Sequence, residues 1–279
     1  MSNRLPLLIE PEQLTSRKDD SDVVIVDLCK ASIYEQSHVP GAIHIEYPYI
    51  VTTKPPIMGL VPEADQLKKV MSHSGIKPGD TVVAYDDEGG GKAARFLYTL
   101  DIIGHKNYAL LNGGLHAWVN EGHSLESVTN KRPTSQYPIV IDETPIASRE
   151  FILEQLDNDE LQLIDSRSPA EYEGSKKFAE RGGHIPGAIN LDWVNLMDSQ
   201  NNLRLKTKDE IIQMLAEPNI EADKTTVVYC QTHHRSALTY FVLKNLGFKN
   251  LKGYPGSWSE WGNNPNMPVE TGQRETITT

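Results

Sequence analysis

A chain of 279 residues, 38% of them hydrophobic and with a mean hydropathy of -0.44, suits two soluble domains and holds no apolar run near the roughly 20 residues that cross a bilayer. A formal net charge of -11 excludes nucleic acid and anionic membrane surfaces as general partners. Two cysteines, Cys29 and Cys230, make no disulfide framework and imply a reducing compartment, so a cytoplasmic enzyme is expected.

Along the chain, residues 1–10 carry an apolar patch too short for a secretory signal. Strands are predicted over 23–27, at Ile43 and over 82–85, separated by helices over 62–74 and 92–103. Alternation of this kind predicts a parallel sheet flanked by helices, with ligands at the carboxyl ends of the strands. From 126 to 147 the apolar periodicity lapses among Pro133, Pro138 and Pro145. This stretch reads as an inter-domain linker, held by its apolar Tyr137-Pro138-Ile139-Val140-Ile141. Ser148 then reads as the N-cap of a helix over 149–156.

The second half repeats the first. Val23-Val24-Ile25-Val26-Asp27 matches Leu161-Gln162-Leu163-Ile164-Asp165, and a Tyr-Glu pair follows each. His38-Val39-Pro40-Gly41-Ala42-Ile43 matches His184-Ile185-Pro186-Gly187-Ala188-Ile189. Thr81-Val82-Val83-Ala84-Tyr85-Asp86 matches Thr225-Thr226-Val227-Val228-Tyr229-Cys230. The copies close on Gly113-Gly114-Leu115-His116-Ala117-Trp118 and Gly256-Ser257-Trp258-Ser259-Glu260-Trp261. Two copies mean two similar domains, divided as 1–125, linker 126–147 and 148–279.

Where the copies differ, chemistry is expected. Cys230 stands where a strand ends and a helix begins, and Gln231, Thr232, His233, His234, Arg235 and Ser236 follow it. Backbone N–H groups of residues 231–236, the helix start and the Arg235 charge are expected to converge on the sulfur as an anion-holding nest, pulling the thiol below its usual value of about 8.5. Four residues separate Cys230 from Arg235, one fewer than in cysteine phosphatases, so the ring is tighter and a phosphatase is the third-ranked reading. In the first copy Asp86 takes the cysteine's place and leads a loop that is one residue longer, with Asp87 and Glu88 behind it. That copy has no nucleophile and should repel an anionic donor.

These features resemble tandem-domain rhodaneses, the thiosulfate sulfurtransferases. The likeness covers nearly the whole chain: both His-x-Pro-Gly-Ala elements, Asp165-Ser166-Arg167, the Cys-Gln-Thr-His-His-Arg-Ser loop of one bacterial subgroup, and the closing Gly-Ser-Trp-Ser-Glu-Trp. The resemblance implies an α/β fold of two rhodanese-like domains, each a mostly parallel sheet with helices on both faces. Only the second would be catalytic, the first walling one side of the cleft. It implies Cys230 as nucleophile, taking the outer sulfur of thiosulfate, releasing sulfite and passing sulfur from a persulfide to cyanide or a thiol. No metal or organic cofactor is implied, and a monomer is expected.

Mercaptopyruvate sulfurtransferases and vertebrate rhodaneses carry an arginine four residues after the Asp-Ser-Arg arginine, where this chain has Glu171. Loss of that cation favours thiosulfate over mercaptopyruvate. The alternatives are a mercaptopyruvate sulfurtransferase and a persulfide carrier that delivers sulfur to a partner protein.

Other residues carry structural expectations. Arg167 is expected in an internal ion pair with Glu171 or Glu173, and Arg235 in the pocket rather than in a salt bridge. His233 and His234 should shape the pocket mouth with only their backbones in the nest, rather than bind metal. Trp193 either lines the pocket or packs in the core. Cys29, His38, His184, Trp258 and Trp261 are read as structural, and Gly89-Gly90-Gly91 lacks the Gly-Lys-Ser/Thr of a nucleotide loop.

Overall fold

In the computed structural model, which describes residues 5–272, thirteen strands alternate with helices. The first half contributes β1 (Leu8–Ile9), β2 (Val23–Asp27), β3 (Ile43–His44), β4 (Thr52–Lys54), β5 (Ile57–Leu60), β6 (Thr81–Tyr85) and β7 (Tyr108–Leu111). The second contributes β8 (Leu161–Asp165), β9 (Ile189–Asn190), β10 (Met197–Asp198), β11 (Arg204–Leu205), β12 (Thr225–Tyr229) and β13 (Leu251–Gly253).

Two parallel sheets result, ordered β1-β7-β6-β2-β3 and β13-β12-β8-β9. Each is built on a central pair of strands, β2 with β6 and β8 with β12; β2, β6 and β12 are rich in the stiff β-branched side chains that favour strands, whereas β8 is built on leucine and isoleucine. Every residue of β2 and β6 is buried, as expected for a parallel strand covered on both faces. The helices Gly91–Ile102 and Arg235–Leu246 pack on the strands that precede them.

The repeated motif has a physical role that is the same in both sheets. The Tyr34 hydroxyl donates to Ala42 O at 2.9 Å, and the Tyr172 hydroxyl to Ala188 O at 2.7 Å. His38 Nδ1 donates to Tyr34 O at 2.6 Å, and His184 Nδ1 to Tyr172 O at 2.8 Å, each imidazole stacked on that tyrosine ring. Gly41 and Gly187 take φ of +79° and +74°, a turn that glycine makes without strain. Their N–H groups donate to the carboxylates of Glu126 and Glu270. Those two glutamates, each bridged through its backbone to the motif histidine, are a repeat that the sequence reading did not single out.

The compact units do not follow a single cut along the chain. One comprises residues up to Thr52, Val61–Glu143 and Met197–Lys206; the other comprises Thr53–Leu60, Thr144–Leu196 and residues from Thr207 on. Each unit thus takes in a short antiparallel hairpin from the opposite half of the sequence: β4–β5 in the second unit, β10–β11 in the first. Neither hairpin was predicted.

Residues 126–143 lie along the first unit. Ser135 N–H donates to Ser72 O and Asp142 N–H to Ile102 O, while Tyr137 is buried with its hydroxyl 2.7 Å from His105 Nδ1. Val140, expected to pack, is 75% exposed. The helix after the linker is Arg149–Glu154, with the Ser148 hydroxyl accepting from Phe151 N–H at 3.1 Å.

Candidate active site

Strand β12 delivers Cys230 to its carboxyl end, and the helix Arg235–Leu246 begins five residues later. The cysteine is fully buried. Burial alone would push its thiol up. The Arg235 charge, the Ser236 hydroxyl and the N–H groups of Ser236 and Thr232 outweigh that and hold it below its ordinary value.

The Ser236 hydroxyl has one proton, and it donates that proton to the sulfur. His233 Nδ1, 2.8 Å from Ser236 Oγ, must then be the protonated ring nitrogen and donate to that oxygen. The His233 ring is therefore fully buried and turned inward, not at a pocket mouth, and its backbone takes a left-handed φ of +51°. Its N–H donates to Ser257 Oγ at 3.0 Å. His234 is half-buried, its ring 5.8 Å from that of the half-buried Trp193. Gln231 Nε2 donates to Phe178 O at 3.0 Å, which ties the loop's first residue to the exposed Phe178 segment.

Beneath the loop lies the start of the short helix Ser257–Trp261. Trp258 N–H donates to Cys230 O at 2.9 Å and Ser259 N–H to Gln231 O at 3.0 Å. Ser257 Oγ accepts from Cys230 N–H at 3.3 Å as well as from His233. The closing Gly-Ser-Trp-Ser-Glu-Trp element thus carries the cysteine loop, beyond the packing expected of its tryptophans.

Arg235 lies close enough to act on the sulfur, yet it is also in a salt bridge. Its two terminal nitrogens each lie 2.8 Å from one oxygen of Glu171, a bidentate pair. The two alternatives posed for Arg235 are therefore not exclusive. Glu171 is only 3% exposed, in the first turn of the helix Pro169–Tyr172, where it also accepts from the Ser168 hydroxyl at 2.8 Å. Burial would raise its carboxyl, but Arg235 brings it down to about 2.

Arg167 takes a different partner from the one expected. It pairs with Asp165, the last residue of β8, through Nε at 2.9 and 3.0 Å and Nη2 at 2.5 Å, and it donates to Gly183 O at 2.7 Å. Its guanidinium lies 4.4 Å from the centre of the Trp258 ring. At the same place in the first copy is Cys29, buried and raised by that burial and by Asp27, Asp87 and Asp86, so it is an inert thiol.

The first copy's loop closes on its own anion. Asp86, buried, accepts from the N–H groups of Glu88 (3.0 Å), Gly90 (2.8 Å) and Ala93 (2.9 Å), so a carboxylate fills the nest that holds sulfur in the second copy. Burial and then Glu88 hold its carboxyl above the ordinary range. Elsewhere, Glu12, Glu121 and His123 lie close enough to share an ion, but Glu121 already pairs with Arg204 at 2.8 Å. No helix among the described residues is long and apolar enough to cross a membrane.

A profile of the rhodanese-like domain matches residues 10–121 and again 148–264. A thiosulfate sulfurtransferase of Azotobacter vinelandii is 43% identical over 266 residues, which cover 95% of this chain and 97% of that one. The sulfur carrier protein TtuD of Thermus thermophilus is 31% identical, covering 96% and 97%. The fold is similar to that of wild-type EanB, with a TM-score of 0.87 at 21% identity over 96% of this chain and 70% of that one.

Proposed function

Since the chain belongs to the rhodanese family and is a sulfurtransferase, we propose that it takes sulfur from thiosulfate through a persulfide on Cys230. The Cys230 thiolate attacks the outer sulfur of thiosulfate and forms a new S–S bond. The S–S bond of the donor breaks, and its electron pair leaves with sulfite. Cyanide or a thiolate then attacks the outer sulfur of the persulfide and returns Cys230 as thiolate, so the cycle is redox-neutral.

The observation that carries this reading is a fully buried cysteine at a strand-to-helix junction, ringed by Arg235, Ser236 and backbone N–H groups that hold its thiol below its ordinary value. The field that stabilises one sulfur anion also suits the second sulfur of a persulfide. In this reading Ser236, Thr232 and Arg235 stabilise charge at the sulfur, and His233 orients Ser236. Gln231, His234 and Trp193 border the approach of the donor.

Glu171 supports thiosulfate as the donor. Both terminal nitrogens of Arg235 donate to that carboxylate, and its negative charge stands where a further cation would have drawn the carboxylate of mercaptopyruvate. Two free, buried cysteines suit a reducing, cytoplasmic setting. A second reading, delivery of persulfide sulfur to a partner protein, is favoured by the Thermus thermophilus relative.

The test is thiocyanate formation with thiosulfate and with mercaptopyruvate, in the wild type and in Cys230→Ala. Turnover with thiosulfate that vanishes in Cys230→Ala is expected. Turnover that survives the substitution overturns the site, and inactivity with both donors favours the carrier.

A further inference from the structure

The hairpin β4–β5 belongs to the second unit although it precedes β6 of the first sheet in the chain. Gly59, in β5, is buried and has a φ of +76°. A Cβ at that position would lie 2.0 Å from the carbonyl oxygen of Thr232, 2.7 Å from its carbonyl carbon and 2.9 Å from its Cβ. No side chain fits there, so backbone meets backbone. One residue earlier, Met58 N–H donates to Ser259 Oγ at 3.0 Å.

These contacts bear on Thr232 from its carbonyl side, in the peptide next to the one whose N–H group bonds the Cys230 sulfur. Thr232 N–H is one of the donors that lower the thiol. Ser257, Trp258 and Ser259 hold Cys230, Gln231 and His233 from one side through their own N–H and hydroxyl groups. Gly59 bears directly on Thr232, and Met58 is fastened to Ser259, part of that same support. An N–H group contributes to a thiolate only while it stays aimed at the sulfur, and a left-handed loop such as that at His233 has neighbouring conformations to relax into.

We propose that the Met58–Gly59 segment is a clamp for the cysteine loop, and that Gly59 is a positioning residue that fixes Thr232 through its carbonyl side and so keeps the Thr232 N–H aimed at the Cys230 sulfur. The clamp acts on the thiolate itself, so it needs no assumption about the donor. It gives the first half of the chain a part in the chemistry that does not depend on its own loop, which Asp86 has closed.

The experiment is the pH dependence of Cys230 alkylation by iodoacetamide, read by mass spectrometry, with folding checked by circular dichroism and melting. In Gly59→Ala the alkylation midpoint moves up towards that of an ordinary thiol, by about one pH unit. Alkylation at pH 7 slows by about tenfold, the ratio that such a shift implies. Ser259→Ala, which removes the Met58 anchor without adding bulk, moves the midpoint the same way by less.

Gly89→Ala is the control. A Cβ there would strain a left-handed φ of +90° and meet Met197 Sδ at 2.1 Å beside the Asp86 loop, in the first unit, although that flexible side chain can give way where the Thr232 backbone cannot. It lowers melting but leaves the Cys230 midpoint unchanged. The proposal is overturned if folded Gly59→Ala keeps the wild-type midpoint, or if Gly89→Ala shifts it equally. Should Gly59→Ala fail to fold, an unshifted Ser259→Ala overturns it instead.

Discussion

Ser257 and Gly114 hold the same place in the two copies, and both have left-handed backbone, with φ of +50° and +52°. Each precedes a residue whose N–H donates at 2.9 Å to the carbonyl of the loop's first residue, Trp258 to Cys230 and Leu115 to Asp86. A serine in that conformation costs about 1–2 kcal/mol relative to glycine. Its hydroxyl offsets the strain by accepting from Cys230 and His233 and donating to Tyr254 O at 2.8 Å. Ser257→Gly should relieve the strain but lose the hydroxyl, whereas Ser257→Ala keeps the strain and loses the hydroxyl. Denaturant unfolding should place the glycine variant nearer the wild type, while kcat/KM for thiosulfate falls in both. A fully active glycine variant would show that the hydroxyl does not matter to the loop.

Glu171 also has a measurable consequence. Its folded value of about 2 lies below its ordinary 4.5, so its contribution to stability is present above pH 4.5 and is lost as the pH falls towards 2. At full strength it amounts to about 3 kcal/mol. Chemical denaturation between pH 2 and 6 should show that acid-labile component in the wild type and not in Glu171→Gln. Parallel profiles would mean that the pair adds nothing to folding. Neither the Glu171–Arg235 pair nor the Arg167–Asp165 pair was readable beforehand. Sequence shows residue type and order, while the choice among nearby carboxylates depends on side-chain direction across the folded site.

At the scale of elements, legibility followed length and repetition. β2, β6, β8 and β12 are five-residue, mostly apolar runs, three of them rich in β-branched residues, and the copies corroborate one another. The cysteine loop stood out because Asp86 replaces Cys230 on an otherwise shared scaffold. The two hairpins escaped notice because their strands are two to four residues long and polar or proline-flanked, without a period to detect. The inward turn of His233 was equally hidden, since a positive φ at a non-glycine residue leaves no mark in composition. The buried Ser236–His233 contact that accompanies it could have been sought from their three-residue spacing, one helical turn, but that spacing is common by chance.

For the whole molecule, the two units are interleaved in sequence: residues 53–60 complete one, and residues 197–206 the other. Hydrogen exchange on intact protein should reveal this directly. Gly59→Ala should weaken protection in β8 and β12 while leaving β2 and β6 near wild type, although position 59 lies among the latter in the chain. Loss of protection confined to β2 and β6 would contradict the assignment of the hairpin.

The exchange of hairpins also bears on inheritance. A lesion in codon 58 or 59 would present as a defect of the cysteine more than 170 residues downstream. Loss-of-function alleles should therefore not sort by repeat, and a compensating change for one in the first half is to be sought near Thr232 or Ser259. The two copies differ in their loops, Asp86 in one and Cys230 in the other, yet each hairpin must fit the unit formed by the opposite half, so a change in one half of the gene is constrained by the sequence of the other.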